Sequence, residues 1–423
     1  RRPPGEMEDL DAETAAAPFV ELVRLRAQAP LRGDMVGGTQ GDWLLRNERI
    51  AVVVGGVVEG DRSHAGWILD AAPEGGFDLL AGIHIAAGAA GSAGAEGLVD
   101  LVAPDTAGMG ESRRGLLVRA HLPERPWIRV ETRFILEAGS HALAVATRFL
   151  NMGTDTTLVP TADLILWGQA EPFAPGPGFE PPSPEEEVPY LTGAGRGTAY
   201  GWWSPDGSLN ASGGPNWSRA GAETLRLAPG EAARVERRLM VRRGSAAGVG
   251  REMADTLGTA TGWVTVEAGW EHDPVRGVRV EVRGPDGRSW SWGETSERGS
   301  VELAAPAGRI TLLASHPSYG ISPIAPLAIR ERGRAHASLH LLEPASLGLH
   351  ALDAQGHPSP ARWRFEGLQD TRTPWFGPRH QASGAAEFLF APSGASVALV
   401  PPGSYRIRAT RGPAFEAWET MVT

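Results

Sequence analysis

Residues 190–217 combine aromatic rings with amide and guanidinium side chains, which is the chemistry of a binding surface. Aromatic faces stack on sugar rings or anchor a partner protein, and amides fix the orientation of what is bound. The alternative is that the rings fill the end of a β-sandwich, and the sequence leaves both interpretations open. The candidate ligand-binding residues are Tyr190, Arg196, Tyr200, Trp202, Trp203, Asn210, Asn216 and Trp217.

Known catalytic and metal-binding motifs are missing from the sequence. The closest histidines, His336 and His340, would lie about 13 Å apart on one face of a strand, too far to chelate one ion. There is no Gly-x-Ser-x-Gly nucleophile elbow, and the glycine-rich run 193–197 lacks the Lys-Ser/Thr of a phosphate loop. Aspartate and glutamate are plentiful, so the sequence leaves open the possibility of a catalytic carboxylate pair like that of a glycosidase. We expect no metal, no cofactor and no catalytic site within these residues.

Composition narrows the classes of partner and the type of fold. The formal net charge of −10 does not favour nucleic acid, which requires a basic face. The absence of cysteine excludes disulfides and thiolate metal ligands. There is no run of 18 apolar residues, so we expect no membrane span. Glycine and proline make up about a fifth of the chain, which is typical of many turns joining short strands.

Period-two alternation of hydrophobic residues predicts an all-β fold. The segments Trp43–Leu45 and Ile50–Val54 flank a polar stretch and predict a hairpin. Two later segments alternate so regularly that each predicts a strand with one buried face. The inward positions are Ile128, Val130, Thr132 and Phe134 in the first segment, and Leu143, Val145, Thr147 and Phe149 in the second.

Two short helices are also predicted. In residues 15–28, Phe19, Leu22 and Val23 would share one face and Thr14 could cap the start. This helix would belong to a leader and spacer over residues 1–35. The second helix is predicted over residues 249–257.

Turn and strand spacing divides the rest of the chain into three predicted β-domains. Residues 36–258 would form a β-supersandwich, in which the proline- and glycine-rich stretch 168–220 is interpreted as a long loop. Residues 259–343 and 344–423 would each form a small sandwich of the immunoglobulin or transthyretin type.

The turns of the two small domains carry a resemblance to a known family. The run Gly284-Pro285-Asp286-Gly287 followed by Ala305-Pro306-Ala307-Gly308 resembles a carboxypeptidase-regulatory-like domain. The runs Pro402–Arg406 and Thr410–Glu416 together resemble the segment that precedes the catalytic PHP domain in CehA/McbA-type metallohydrolases. The segments Gly41–Asn47 and Phe134–Ser140 look like the supersandwich leader of such proteins.

The resemblance implies the accessory half of a metallohydrolase, because the metal-binding PHP domain would follow Thr423. We therefore expect a non-catalytic binding or scaffold protein with a carbohydrate or protein partner. One alternative is the accessory region of a PHP-type hydrolase, with its hydrolase domain downstream or on a separate chain. Another is a mutarotase-like carbohydrate-active enzyme. The expected location is extracellular or in the cell envelope, as a secreted protein or lipoprotein whose signal segment was removed upstream of Arg1.

Overall fold

The computed structural model describes most of the 423 residues. The described ranges are 18–57, 63–86, 98–107, 109–122, 124–183, 186–221, 224–259, 261–271, 273–317, 319, 325–377 and 384–423. Residues 1–17 of the predicted leader lie outside them. Within these ranges the chain forms many strands and a single α-helix, so the predicted all-β class is confirmed.

Nineteen strands precede the helix in the chain. They are β1 (Val20–Arg24), β2 (Trp43–Asn47), β3 (Ile50–Val54), β4 (Ile68–Pro73), β5 (Gly82–His84), β6 (Leu98–Asp105), β7 (Arg113–Leu122), β8 (Arg125–Glu137), β9 (Ala142–Asn151), β10 (Thr157–Pro160), β11 (Asp163–Leu166), β12 (Glu171–Phe173), β13 (Glu186–Val188), β14 (Leu191–Gly195), β15 (Thr198–Trp203), β16 (Leu209–Gly214), β17 (Trp217–Ala220), β18 (Thr224–Leu227) and β19 (Ala232–Arg243).

The helix and fifteen further strands complete the described chain. They are α1 (Ala246–Thr256), β20 (Thr261–Trp270), β21 (Asp273–Pro274), β22 (Arg279–Arg283), β23 (Ser289–Glu294), β24 (Ser300–Pro306), β25 (Gly308–Ser315), β26 (Ala325–Ile329), β27 (Arg334–His340), β28 (Ala345–His350), β29 (Ala361–Gly367), β30 (Gly384–Ala385), β31 (Phe388–Ala391), β32 (Ala395–Val400), β33 (Tyr405–Thr410) and β34 (Trp418–Val422).

Residue contacts divide the chain into two compact units. Unit 1 is drawn from Arg1–Asp78, Gly82–Asp163 and Glu223–Arg242. Unit 2 is drawn from Leu79–Ala81, Leu164–Ala222 and Arg243–Thr423. The boundaries predicted near residues 258 and 343 both fall inside unit 2, and the predicted domain limits stay predictions.

Unit 1 is built from antiparallel strands whose inward faces are those that the sequence predicts. Strands β1 to β5 pair in chain order, and β6 to β9 pair in chain order with β19 beside β9. In β8 and β9 the eight predicted inward residues are all buried. Thr132 lies opposite Thr147, and their hydroxyl oxygens are 3.1 Å apart. The two buried hydroxyls therefore satisfy each other inside an apolar layer.

The helix predicted over residues 15–28 is wrong where the structure describes it. Residues Val20–Arg24 form β1, which pairs antiparallel with β2. Leu25, just beyond the strand, packs in a core cluster with Leu44, Ala51 and Val53. The segment gains these contacts and a full ladder of hydrogen bonds by extending along β2. This tertiary gain overrides a helical pattern that propensity alone supports only weakly.

The stretch 168–220, interpreted from sequence as a long loop, consists mostly of short strands in unit 2. Strands β12, β14 and β15 pair in that order, and β13, β16 and β17 pair next to one another. Gly193 on β14 shows why small residues occur here. A Cβ atom at this position would overlap the six-membered ring of Trp167. Glycine therefore lets the backbone approach a buried indole closely.

The first small sandwich packs two four-stranded sheets around one core. Strands β21, β20 and β24 form one sheet, with β27 parallel to β20, and β23, β22, β25 and β26 form the other. The shared core is rich in aliphatic residues from both sheets, such as Val264, Val280 and Leu312. These residues alternate with polar ones along the strands, as a sandwich with a single core requires.

The second small sandwich contains β28 paired with β32 and a five-stranded sheet in the order β30, β31, β29, β33, β34. Its core joins Leu349 and Val400 of the first sheet to Trp363, Phe365 and Ile407 of the second. Strand β34 is an edge strand of the larger sheet.

The helix predicted over residues 249–257 is confirmed as α1, which begins three residues earlier, at Ala246. Val249 and Met253, one turn apart, are both fully buried. In the described part of the chain, no helix has the length and apolar character needed to cross a membrane.

Candidate ligand-binding site

Four of the eight candidate ligand-binding residues are buried in the interior of unit 2. Tyr190, Tyr200, Trp202 and Trp203 are each at most 7% exposed. The hydroxyl oxygen of Tyr200 accepts a hydrogen bond from the backbone N–H of Leu79 at 2.9 Å. Burial raises the pKa of Tyr190 above its ordinary value, so this phenol stays neutral. The four rings therefore fill the interior of unit 2. This is the role expected of rings that fill a β-sandwich and not of rings on a binding surface.

The other four candidates lie nearer the surface but on separate turns. Arg196 is exposed in the turn between β14 and β15. Asn216 is exposed and Trp217 is 38% exposed, both at the hairpin joining β16 and β17. Asn210 on β16 is half-buried opposite Glu187. Ligand binding by the eight residues stays a prediction, and Arg196, Asn216 and Trp217 are its exposed members.

A concave site lies in the second small sandwich, and we call it the C-terminal cleft. It has a volume of about 580 Å³, within the usual range for small-molecule sites. Its walls come from residues 350–355, from β29 and the end of β33, and from residues 411–418. Ligand sites are typically concave, mostly apolar and supplied with a few polar groups.

One wall of the cleft is a tight turn built around Asp353. Its Oδ1 accepts hydrogen bonds from the backbone N–H groups of Gln355 and His357, both at 2.9 Å. The backbone N–H of Asp353 donates to the carbonyl oxygen of His357 at 2.8 Å. Gly356 has a φ of 82°, a conformation that favours glycine. The turn therefore holds the carboxylate rigidly beside the cleft.

Aromatic side chains form the floor and the opposite wall. Trp363 on β29 is 4% exposed and lines the floor. Trp418 meets it edge-to-face, with ring centroids 6.2 Å apart and an interplanar angle of 84°. Trp418 and Phe415 are 54% and 52% exposed. Large apolar rings left open to water beside a cavity are a typical mark of a binding site.

The charged groups of the cleft have opposite signs. The hydrogen bond from the backbone N–H of His357 lowers the pKa of the Asp353 carboxyl, with smaller contributions from Gln355 and the charge of Arg411. Asp353 is therefore ionised at neutral pH. The guanidinium of Arg411 lies over the ring of Phe415, 4.6 Å from its centroid, which is a favourable cation–π arrangement. The cleft can accept hydrogen bonds at Asp353 and donate them at Arg411.

The described residues offer no group of three or more histidine, aspartate or glutamate side chains that could hold a metal ion. His336, from the closest histidine pair, lies on β27 as a strand residue and has a carboxylate oxygen of Glu267 3.2 Å from its Nε2.

Comparisons with known proteins identify no family. No family model matches the chain, and no curated protein sequence matches it. Among solved structures, a TPR-domain containing protein from Parabacteroides distasonis is 11% identical, with a TM-score of 0.35, and the match covers 53% of each chain.

Two further solved structures show comparable partial similarity. A putative aldose 1-epimerase from Escherichia coli is 11% identical, with a TM-score of 0.31, over 53% of this chain and 99% of that one. A streptococcal ancillary pilin is 9% identical, with a TM-score of 0.24, over 51% of this chain and 77% of that one. Similarity at this level supports no argument about function.

Sequence reasoning missed the C-terminal cleft. Asp353 stands in a polar Asp-Ala-Gln-Gly run that is typical of a turn, and Trp363 is buried like a core residue, so neither side chain on its own indicates a binding site. The available signal was the pair Phe415 and Trp418, which closely follow a Gly-Pro turn. Two large aromatic residues in a polar segment of that kind indicate rings that lie outside a core.

Proposed function

We propose that this chain is a binding protein whose C-terminal cleft holds a carbohydrate. The observation that carries the proposal is the pairing of two half-exposed rings, Trp418 and Phe415, with the charged groups of Asp353 and Arg411 around one cavity. The proposal assigns the cleft no reaction, because the roles that these side chains fill are stacking and hydrogen bonding.

A carbohydrate fits this combination for two chemical reasons. One face of a sugar ring presents C–H groups, which pack well on an apolar aromatic face. The edge of the ring presents hydroxyls, each of which both donates and accepts hydrogen bonds. One sugar hydroxyl can donate a hydrogen bond to the carboxylate of Asp353. A neighbouring hydroxyl can accept a hydrogen bond from the guanidinium of Arg411. A purely apolar ligand would leave the carboxylate without partners for its remaining acceptor sites, which is costly when the group is desolvated.

The wider setting of this function is proposed from the family resemblance alone. We place the protein outside the cell or in the cell envelope, where a carbohydrate-binding accessory region would meet extracellular glycans. Fractionation of the source cells with an antibody against this chain tests the location. Recovery in the cytoplasmic fraction alone would contradict it.

The binding role is tested by screening the protein on a glycan array and measuring the best ligand by titration calorimetry. We expect Trp418→Ala to weaken that ligand by about tenfold or more, which corresponds to about 1.4 kcal/mol. Met421→Ala is the matched control, because Met421 is 71% exposed on the same strand and points to the opposite face. Equal affinity in wild type and Trp418→Ala, or no glycan bound at all, would refute the proposal.

A further inference from the structure

A second cavity in unit 2, which we call the arginine cavity, shares no lining residue with the C-terminal cleft. Its volume is about 450 Å³. Three arginines line it, Arg279 and Arg283 from β22 and Arg372 from the segment after β29. The remaining wall includes the hydroxyls of Ser315 and Thr373 and the indole of Trp375.

Arg279 is the buried centre of this cavity. Its side chain is 10% exposed, and its Nη1 donates to Oε1 of Glu171 at 3.0 Å. The guanidinium carbon lies 3.1 Å from the ring centroid of Phe179 and 4.8 Å from that of Trp375. Stacking on these rings holds the planar guanidinium group of Arg279 in a fixed orientation.

The other N–H groups of Arg279 donate to no partner among the residues that the structure describes. A guanidinium has five donors, and the bond to Glu171 uses one of them. These donors are not sealed from solvent, so they can be satisfied within the cavity by water or by a ligand. The unused donors therefore favour a ligand with acceptor oxygens in the cavity.

The lining charges also favour an anion. The only carboxylate in the wall belongs to Glu281, and it is already engaged by Nε of Arg283 at 2.9 Å and by the hydroxyl of Ser289 at 2.5 Å. Arg372 is half-buried and has no ion-pair partner in the described part of the chain. The carboxylates of Glu171 and Glu294 act on Arg279 from outside the cavity. The lining thus has more positive than negative charge.

We propose that the arginine cavity binds a carboxylate-bearing sugar, such as a hexuronate. A carboxylate presents two coplanar oxygens that match the fork of an arginine. Ser315 and Thr373 add hydroxyl-bearing residues to the lining, and Trp375 adds an aromatic one. The Thr373 hydroxyl accepts from the backbone N–H of Gly367 at 3.1 Å and can still donate to a sugar hydroxyl. The volume is in the range that holds a small ligand. This site is separate from the proposed carbohydrate cleft and does not depend on it.

The test is calorimetric titration of the full chain with D-glucuronate, with D-glucose, acetate and sulfate as comparison ligands. We expect saturable binding of glucuronate, at least about tenfold tighter than glucose or acetate. Arg372→Ala should weaken glucuronate by about tenfold or more, and Arg372→Lys should restore part of the loss, since lysine keeps the charge without the fork. Arg309→Ala is the matched control, because Arg309 is exposed on β25, about four residues along the strand from the cavity wall.

Three outcomes would overturn the proposal. The first is no saturable binding of glucuronate by wild-type protein. The second is unchanged affinity in Arg372→Ala, or an equal loss in Arg309→Ala. The third is sulfate binding as tightly as glucuronate, which would indicate a general anion site with no recognition of a sugar. Circular dichroism of each variant separates a loss of binding from a loss of fold.

Discussion

Replacing Arg237 should destabilise unit 1 more than any exposed substitution on the same strand. Its guanidinium forms two hydrogen bonds to the carboxylate of Asp163, at 2.7 Å and 2.8 Å, and another to the carbonyl oxygen of Thr161 at 3.0 Å. The two side chains are 2% and 1% exposed. Arg237→Met would leave the carboxylate of Asp163 buried without its counter-charge.

The loss in free energy of unfolding that Arg237→Met should cause can be worked out from this geometry. Removing one partner of a buried ion pair typically lowers the free energy of unfolding by about 3–5 kcal/mol. At about 1.4 kcal/mol per tenfold change, the middle of that range corresponds to about a thousandfold change in the folding equilibrium. The backbone N–H of Ala86, which donates to Asp163 at 2.8 Å, offsets only part of the loss.

The assay is urea denaturation of wild type, Arg237→Met, Asp163→Leu and the double variant. The double variant should be more stable than either single variant, because neither buried charge is then left alone. Arg234→Met is the control, since Arg234 is 62% exposed beside Glu236 and should cost at most about 1 kcal/mol. A loss below about 1 kcal/mol in Arg237→Met, or additive losses in the double variant, would refute the reasoning.

Three further predictions concern stability. Gly193→Ala should lower the free energy of unfolding by about 1–3 kcal/mol, because the new methyl group overlaps Trp167; a urea midpoint equal to that of wild type would contradict it. Trp202→Ala should cost about 3–5 kcal/mol as a core truncation, and a wild-type melting temperature would show that the ring is not core. Burial, together with the charge of His64, lowers the pKa of His84 to about 4. The unfolded chain binds this proton near pH 6.5, so stability should be full above pH 6.5 and fall by up to about 3 kcal/mol towards pH 4. His84→Phe should remove that pH dependence, and a retained dependence would contradict the assignment.

Strands and their inward residues are predicted best from the sequence where only one face of the strand is buried. Strands β8 and β9 alternate so regularly that all eight predicted inward residues are buried, including the opposed Thr132 and Thr147; the prediction stops one position short in each strand, at the buried Leu136 and Asn151. Strands β14 and β15 gave no such signal, because all but one of their residues are buried. When both faces of a strand are covered, polarity does not alternate, and short glycine-containing strands resemble a loop.

Candidate binding residues are harder to predict because aromatic residues serve two purposes. Trp202 and Trp418 have the same side chain, yet one is fully buried and the other is 54% exposed. Which role applies depends on what other strands bring against the ring, and this is a property of tertiary packing. The turn at Asp353 and the ring of Trp418 are more than 60 residues apart in sequence, so their shared cavity could not be read from local spacing.

The central claim, that the C-terminal cleft is the carbohydrate site, is tested most directly by locating a bound glycan. Hydrogen–deuterium exchange of the full chain should be recorded with and without the tightest glycan from the array. The account predicts slower exchange in residues 350–355 and 409–418. Protection confined to residues 190–217, or no protection in either segment at saturating glycan, would contradict it.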